Sequence, residues 1–473
     1  MKNFIGGEFV PTQDSFDNLN PATSQRLCEV PRSGAAEVDA AAKAALAAQP
    51  GWAALSVEDR ATWLERIADA IEADLDAFAQ LESRDQGKPV WLAKAVDIPR
   101  AVSNFRFFAS AVRQHHDGVH RMPGALNYTA RNPIGVVGLI TPWNLPLYLL
   151  TWKLAPALAM GNAIVAKPSE LTPCTADRLA RLFQTIDAPA GIFNLVHGYG
   201  AECGQAMLEH PDIKAISFTG GTATGRVVAR TAAPLFKKLS LELGGKNATV
   251  VFDDCDFEAT VDGAVRAGFA NQGEICLCGS RLLVQRGIAD RFIPAFIERA
   301  THQKVGDPSA PDTRVGALNS TAHRDKVESY LKLASEEGGT VHGGGRPALD
   351  APFSSGAFLN PAVVTGLAPT SRTSTEEIFG PVVTVHVFDT EEQAIAIANG
   401  TDYGLAASVW TQDLGTAHRV ADALEVGMVW VNTWLLRDLR VPFGGVKHSG
   451  VGREGGHYSL EFFSESKNIC IKM

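Results

Sequence analysis

Apolar and polar positions alternate in long blocks over the first part of the chain. Residues 35–48, 58–79 and 94–112 have helical composition with an apolar stripe, and each predicts a helix. Polar residues 114–127 separate the third helix from a continuous apolar run at residues 134–140. A short apolar run of this length is typical of a buried strand.

From residue 134 onward, strand, loop and helix patterns repeat. Helical segments separate short apolar segments that predict strands at residues 162–166, 191–196, 215–218 and 238–243. This alternation predicts an α/β protein with a parallel, doubly wound sheet, which binds ligands at the carboxyl ends of its strands. A second alternating block at residues 248–427 predicts a second domain, and residues 340–358, rich in Gly, Pro and Ser, predict an exposed loop.

Composition narrows the class of protein. A length of 473 residues predicts two or three domains. The formal net charge of −9 argues against a partner such as nucleic acid or a membrane surface, which would require a basic field. Seven cysteines without a regular framework indicate reduced thiols, and no apolar signal core or membrane span is evident, so we expect a cytoplasmic protein.

Two thiols lie near a glycine-containing turn in the segment FANQGEICLC at residues 269–278. The thiolate of Cys276 would be a good nucleophile for a carbonyl carbon, although an inert buried cysteine is the alternative. Cys278 completes the C-x-C spacing of some metal sites. No His/Cys cluster elsewhere in the sequence accompanies it, so we expect no metal.

Two further polar residues stand in settings suited to catalysis. Glu242 ends an apolar strand, where desolvation would raise its pKa and suit it to general-base work; a salt bridge with Lys246 or an N-cap interaction is equally open. Asn144 lies between Pro142 and Pro146, which would hold its amide rigidly as an oxyanion donor. A turn-stabilising asparagine is the alternative.

A glycine turn, Gly220 to Gly225, precedes a predicted helix. Its backbone N–H groups could cradle a phosphate, but the Lys-Ser/Thr pair of a P-loop is absent.

Taken together, these segments resemble the aldehyde dehydrogenase superfamily along essentially the whole chain. The motifs occur in the family's order: TPWN at 141–144, KPSE at 167–170, FTGG at 218–221, ELGGKN at 242–247, FANQGEIC at 269–276, EEIFGP at 376–381 and PFGGVKHSGVGRE at 442–454.

The resemblance implies a fold and a domain organisation. A Rossmann-like NAD-binding domain would comprise residues 1–114 and 134–243, and a second α/β catalytic domain residues 244–445. Residues 115–133 and 460–473 would form a small β arm for oligomerisation, since the family forms dimers or tetramers.

The resemblance also implies NAD(P)-dependent oxidation of an aldehyde to its acid. Cys276 would attack the aldehyde, and the Asn144 amide and the Cys276 backbone N–H would stabilise the oxyanion. Loss of hydride would leave a thioester, which Glu242 would hydrolyse by activating water.

Cofactor contacts follow from the same motifs. Lys167 and Glu170 would hold the adenosine ribose, and the carboxylate would repel a 2′-phosphate, so NAD is favoured over NADP. Glu377 and Phe379 would position the nicotinamide ribose and ring.

The pyrophosphate would lie beside Trp143, Gly220 and Gly221. Position 221 is glycine where many relatives have serine, so one hydroxyl contact would be missing. Lys153 would support the region of Asn144.

Arginines next to PFGG suggest the substrate. In this superfamily the residues just before PFGG line the substrate tunnel. The helix position that Arg100 occupies lines the same tunnel. Guanidiniums of Arg437 and Arg100 would bind a carboxylate remote from the aldehyde. The alternative for Arg437 is a salt bridge to Asp438 or a subunit contact, and structural roles are favoured for Arg440 and Arg106.

Within the superfamily the chain most closely resembles the 2-aminomuconic and 2-hydroxymuconic semialdehyde dehydrogenases. A betaine-aldehyde type is the nearest competitor, because Trp152, Tyr148 and Trp434 could face a quaternary ammonium. A CoA-acylating enzyme and an inactive crystallin-like structural protein are the remaining alternatives.

Overall fold

The computed structural model describes residues 1–473, and its largest sheet has eight strands. Five central strands run parallel, in the spatial order Phe193–Leu195, Ala163–Lys167, Val136–Ile140, Ile213–Thr219 and Lys238–Glu242. Antiparallel strands complete the two edges: Asn3–Ile5 with Glu8–Val10 on one side, and Gly450–Val451 on the other. The strand order reverses between Val136–Ile140 and Ile213–Thr219, which is where such sheets bind ligands.

Helices cover both faces of this sheet because its central strands are apolar on both sides. The main helices of this part of the chain are Ala35–Ala53, Val57–Ala73, Leu75–Gln86, Ile98–Arg113, Pro146–Ala159, Cys174–Thr185, Gln205–Glu209 and Thr222–Ala232.

A second sheet has seven strands, in the order Thr340–Gly343, Ala362–Thr365, Val382–Phe388, Arg281–Gln285, Ala248–Val251, Ala406–Trp410 and Met428–Val431. Only the first of these strands is antiparallel to its neighbour. The accompanying helices are Phe257–Phe269, Arg286–Thr301, Thr321–Glu336, Arg372–Thr375, Glu391–Asn399 and Leu414–Ala423. The block predicted at residues 248–427 is therefore a second α/β unit.

A separate three-stranded antiparallel sheet joins two distant parts of the chain. Strand Ala125–Pro133 pairs with Val119–Met122 on one side and with Ser464–Lys472, which follows helix Gly456–Phe462, on the other. These strands lie within the segments 115–133 and 460–473. Their role in oligomerisation stays a prediction.

The structure differs from the sequence prediction in three places. Residues 58–79 are two helices that meet at Asp74. Residues 94–112 begin with a π-helical turn, Ala93–Asp97, because Pro99 lacks the N–H that a regular turn needs there. Part of the loop predicted at residues 340–358 is an edge strand, since residues 340–343 pair with the neighbouring strand Ala362–Thr365.

The largest hydrophobic core contains 49 buried residues and joins the helices on one face of the first sheet. Phe105 and Trp152, from helices Ile98–Arg113 and Pro146–Ala159, are fully buried within it. No helix combines the length and the apolar character that crossing a membrane requires.

Replacing Phe105 by alanine removes a buried ring from this core. We expect the free energy of unfolding to fall by about 3–5 kcal/mol, as for other buried Phe→Ala changes. Denaturant titration followed by circular dichroism measures the change. The exposed Leu414 supplies the control, since Leu414→Ala should stay within about 0.5 kcal/mol of the parent. Equal midpoints for the two variants would contradict the assignment of this core.

Candidate active site

A cavity of about 250 Å³ lies where the carboxyl ends of the first sheet face the second α/β unit. Its lining comes from loops that follow strands Val136–Ile140, Ile213–Thr219 and Lys238–Glu242, and from three segments of the second unit. The lining residues are Pro142, Trp143, Asn144, Thr219, Gly220, Gly221, Leu243, Gly244, Cys276, His323, Lys326, Glu377 and Phe379.

Seven residues proposed from the sequence are thereby brought together: Trp143, Asn144, Gly220, Gly221, Cys276, Glu377 and Phe379. The Glu242 carboxyl is buried next to this lining rather than in it. Lys167, Glu170, Arg100 and Arg437 are not among the lining residues.

The turn before Cys276 has an unusual backbone. Asn271 and Gln272 adopt left-handed conformations with φ of 51° and 57°, and Gly273 follows with φ of 74°. Such conformations cost free energy in non-glycine residues and persist only where surrounding contacts hold them. Here the Gln272 amide donates to the Ala317 carbonyl at 3.2 Å, and the Asn247 amide donates to the Cys276 carbonyl at 2.7 Å. The nucleophile candidate therefore sits on a fixed turn.

Burial and neighbouring charges both change the pKa of the Cys276 thiol. Desolvation, followed by the Glu242 carboxylate, raises the pKa of Cys276, while Arg437 opposes the shift. The thiol is thus protonated at neutral pH in the free protein. Its backbone N–H donates to no other group of the chain and remains available to a ligand in the cavity.

The Asn144 turn is held from three directions. Its side-chain amide donates to the Glu274 carbonyl at 2.9 Å. Its own carbonyl accepts from Lys88 Nζ at 3.1 Å and from the Asn271 amide at 3.2 Å. Lys88 is fully buried and also donates to Asp97 at 2.7 Å. One amide N–H of Asn144 is left for the cavity.

The expectation that Lys153 supports the Asn144 turn was wrong. Lys153 Nζ donates to Glu454 at 2.6 Å and to Ser217 at 2.9 Å. The cause is the position of Lys153 within helix Pro146–Ala159, where its side chain meets a buried carboxylate instead.

Glu242 is buried, and its Oε1 has no hydrogen-bond partner. Burial and the neighbouring Glu454 carboxylate raise the pKa of Glu242 well above its ordinary value, against the charges of Lys153, Arg453 and Arg437. The salt bridge with Lys246 that the sequence left open does not form, since Lys246 Nζ donates to the Thr373 carbonyl. A carboxyl of this kind can take up a proton near neutral pH.

Glycine at position 444 gives the Glu242 carboxyl its space. A Cβ at Gly444 would lie 2.7 Å from Glu242 Oε1, and the residue has a φ of +148°. A larger residue would displace the carboxyl.

Aromatic rings and one carboxylate form another wall of the 250 Å³ cavity. Trp143 meets Phe379 edge-on at a centroid distance of 5.3 Å, and His323 meets Trp143 at 5.0 Å. Burial lowers the pKa of His323 to about 4, so the ring is neutral at pH 7. Glu377 accepts from the Gly245 N–H at 2.9 Å, which fixes its carboxylate against the Gly244 turn.

The two glycines of the FTGG turn differ in what they offer. The Gly220 N–H is already used, because it donates to the Glu242 carbonyl at 3.0 Å. Gly221 is the N-cap of helix Thr222–Ala232 and has open space where a Cβ would point. The free N–H groups of this turn therefore begin at Gly221, and Gly220 serves for close packing against Phe218.

Beyond this turn lies a second cavity, of about 750 Å³, lined by Glu170, Tyr199, Phe218, Val227 and other residues. The buried Lys167 donates to Glu170 at 2.8 Å. Burial alone would raise the pKa of Glu170, but Lys167 and backbone N–H groups together lower it. A charged carboxylate thus faces an otherwise largely apolar cavity.

Arg437 and Arg100 converge on Tyr148. Arg437 donates to the Tyr148 hydroxyl at 2.8 Å, and the Arg100 guanidinium lies 5.3 Å from the centre of the same ring. Neither arginine has a carboxylate partner; Asp438 instead binds Arg440. Arg106 binds Asp69 and Glu72. Both free guanidiniums are therefore available to an anion.

Comparison with known proteins shows the family to which the chain belongs. A model of the aldehyde dehydrogenase family matches residues 9–469. The chain belongs to that family. The 2-aminomuconic semialdehyde dehydrogenase of Danio rerio is 50% identical over 100% of this chain and 98% of its own. The 2-hydroxymuconic semialdehyde dehydrogenase of Pseudomonas sp. (strain CF600) is 48% identical over 100% and 99%.

Solved structures share the fold. PnpE from Pseudomonas sp. WBC-3 has a TM-score of 0.97 at 42% identity, covering 100% of this chain and 97% of its own, and it has also been solved with nicotinamide adenine dinucleotide. The expectations of an α/β fold with a Rossmann-like domain and of an aldehyde dehydrogenase are confirmed.

Several residues of this aldehyde dehydrogenase site escaped the sequence reasoning. Lys88 and His323 come from distant segments, and no local pattern marks them. Gly444 lies within the motif PFGGVKHSGVGRE, but its contact with Glu242 could not be read from that motif. Glu274 could have been found, since it lies in FANQGEIC beside the nucleophile; its buried carboxyl accepts from Gln86 and from the Asn319 N–H. No group of three or more His, Cys, Asp or Glu side chains is arranged to hold a metal ion.

The raised pKa of Cys276 predicts the pH dependence of its alkylation. A thiol with a raised pKa gains thiolate only as pH rises, so the iodoacetamide rate should have its midpoint above the ordinary value of ~8.5. Mass spectrometry of the Cys276 peptide in the ligand-free protein measures this rate. A plateau reached by pH 7 would contradict the raised pKa.

Proposed function

We propose that this aldehyde dehydrogenase oxidises a semialdehyde with a remote carboxylate, such as 2-hydroxymuconic or 2-aminomuconic semialdehyde, to the diacid with NAD. The observation that carries the substrate class is the pair of arginines without acidic partners, Arg100 and Arg437. Arg437 also lies close enough to oppose the raised pKa of Cys276. The Danio rerio and Pseudomonas relatives, named for these two semialdehydes, support the same choice.

Chemistry begins at Cys276. Its thiol must lose a proton before attack, because desolvation favours the neutral form. Arg437 favours the charged thiolate, and the thiol proton leaves to solvent, so that Glu242 stays unprotonated for the later hydrolysis. As sulfur bonds to the aldehyde carbon, the carbonyl oxygen gains charge. The Asn144 amide and the free Cys276 N–H are the donors for that oxyanion.

The cofactor fits the two cavities at the carboxyl ends of the sheet. Glu170, held by Lys167, would bind the adenosine ribose and disfavour a 2′-phosphate. Gly221 and the turn after it would meet the pyrophosphate beside Trp143, and Glu377 with Phe379 would hold the nicotinamide end. NAD, when bound, supplies the hydride acceptor.

Hydrolysis follows at the thioester on Cys276. Glu242 accepts a proton from water as the water oxygen attacks the acyl carbon. The C–S bond then breaks, Cys276 leaves as a thiolate, and the acid is released. Burial and Glu454 suit Glu242 to this role by raising its pKa, and Gly444 leaves space beside its oxygen.

A betaine-aldehyde substrate is disfavoured by the same arginines. The faces of Tyr148 and Trp152 that could receive a quaternary ammonium lie against the guanidiniums of Arg100 and Arg437. A cation placed there would be repelled.

The proposal extends to assembly and location. The sheet of residues 119–133 and 464–472 is the candidate contact of a homodimer or homotetramer, and the chain would act in the cytoplasm. The NAD-binding part would comprise residues 1–114 and 134–243, and the catalytic part residues 244–445.

Glu242→Gln should accumulate the acyl-enzyme. The amide keeps the shape of the side chain but cannot accept the proton of water, so a stoichiometric burst of NADH should precede slow turnover. Rapid-mixing absorbance and intact-protein mass spectrometry measure the burst and the acyl adduct. Cys276→Ala is the control and should give neither. Normal steady-state turnover in Glu242→Gln would refute the role of Glu242 as the general base in hydrolysis.

Arg437→Ala should lose affinity for the carboxylate. A hydrogen bond to a charged group is worth about 1.5–3 kcal/mol, so the KM for 2-hydroxymuconic semialdehyde should rise about tenfold to over a hundredfold. The KM for hexanal, which has no carboxylate, should change little. Arg440→Ala is the matched control, since that arginine is exposed and bound to Asp438. Equal increases in KM for both substrates in Arg437→Ala would exclude Arg437 as the residue that binds the carboxylate.

A further inference from the structure

Tyr148 contacts both free arginines. Its hydroxyl accepts a hydrogen bond from Arg437 Nη1 at 2.8 Å, and its ring lies 5.3 Å from the guanidinium carbon of Arg100. Two like charges held near one side chain repel each other, and Arg100 is among the groups that lower the pKa of Arg437. Something other than an acidic partner must hold them in place.

Aromatic side chains provide that support. The Arg437 guanidinium lies 4.0 Å from the centre of the Phe443 ring and 5.2 Å from that of Trp152. An aromatic face attracts a cation without neutralising it. A carboxylate partner, as Asp438 is for Arg440, would instead cancel the charge that an incoming anion needs. Aromatic rings thus hold Arg437 in place, and the guanidinium keeps its full positive charge.

The position of Tyr148 is itself fixed. The side chain is buried on helix Pro146–Ala159, four residues after Asn144. The buried amide of Asn104 donates to the Tyr148 carbonyl at 3.2 Å and to the Thr151 hydroxyl at 3.0 Å. Asn104 lies one helical turn after Arg100 in helix Ile98–Arg113. These bonds lock the helix that carries Arg100 to the helix that carries Tyr148.

We propose that Tyr148 is a positioning residue for substrate specificity: it holds Arg437 and Arg100 as one carboxylate-binding pair. This inference rests on the proposed function and adds to it the device that fixes the two guanidiniums. Tyr148 acts through Arg437, so its effect should disappear once Arg437 is removed.

Tyr148→Phe tests the proposal, because it removes the hydroxyl and keeps the ring. We expect the KM for 2-hydroxymuconic semialdehyde to rise about five- to tenfold, with kcat nearly unchanged. This rise is smaller than for Arg437→Ala, because the hydroxyl acts only through the position of that guanidinium. The ratio of this KM to the KM for hexanal reports the carboxylate effect alone. Tyr128→Phe, on strand Ala125–Pro133, is the control for loss of a tyrosine hydroxyl.

The double variant Tyr148→Phe/Arg437→Ala separates positioning from direct contact. If Tyr148 acts through Arg437, the double variant should have the same KM ratio as Arg437→Ala alone. A further loss in the double variant would mean that the hydroxyl binds substrate itself, and would overturn the inference. So would an unchanged KM ratio in Tyr148→Phe.

Failure of the proposed function has a different signature. If the substrate carries no carboxylate anchor here, Arg437→Ala and Arg100→Ala leave the KM ratio unchanged as well. A large change in those two variants with none in Tyr148→Phe rejects only the role of Tyr148.

Discussion

The parallel pairing of strands Val136–Ile140, Ile213–Thr219 and Lys238–Glu242 controls the geometry of this site. Parallel strands end along one edge of a sheet, and the order of these strands reverses between the first two. The Asn144 turn and the Gly221 helix start therefore meet within one cleft, and Glu242 is buried beside it, although about a hundred residues separate Asn144 from Glu242 in the chain. The second α/β unit closes this cleft with Cys276 and Glu377.

Buried charge is the second constraint. The side chains of Lys88, Lys153 and Glu242 are buried. Burying a charged group costs free energy unless the group is paired or hydrogen-bonded. Lys88 pairs with Asp97 and holds the Asn144 carbonyl, and Lys153 pairs with Glu454. Glu242 retains an oxygen without a partner. The two lysines fix the structure, and the unsatisfied carboxyl is left for chemistry.

The arginines show how partner choice separates structure from recognition. Arg440 and Arg106 are neutralised by acids within reach, and both are exposed. Arg437 and Arg100 meet aromatic rings instead and keep their charge. An acidic protein with a formal net charge of −9 can thus present a local positive site to a small anion.

The sequence by itself determined the class of fold and indicated the candidate reactive residues. Alternating apolar segments predict the doubly wound sheet, and the motifs around Cys276 and Asn144 are contiguous, so local reading finds them. It could not find Lys88 as the support of Asn144, nor exclude a bond between Arg437 and Asp438. Only the tertiary structure decided these, because the partner of a long charged side chain depends on which distant elements pack beside it.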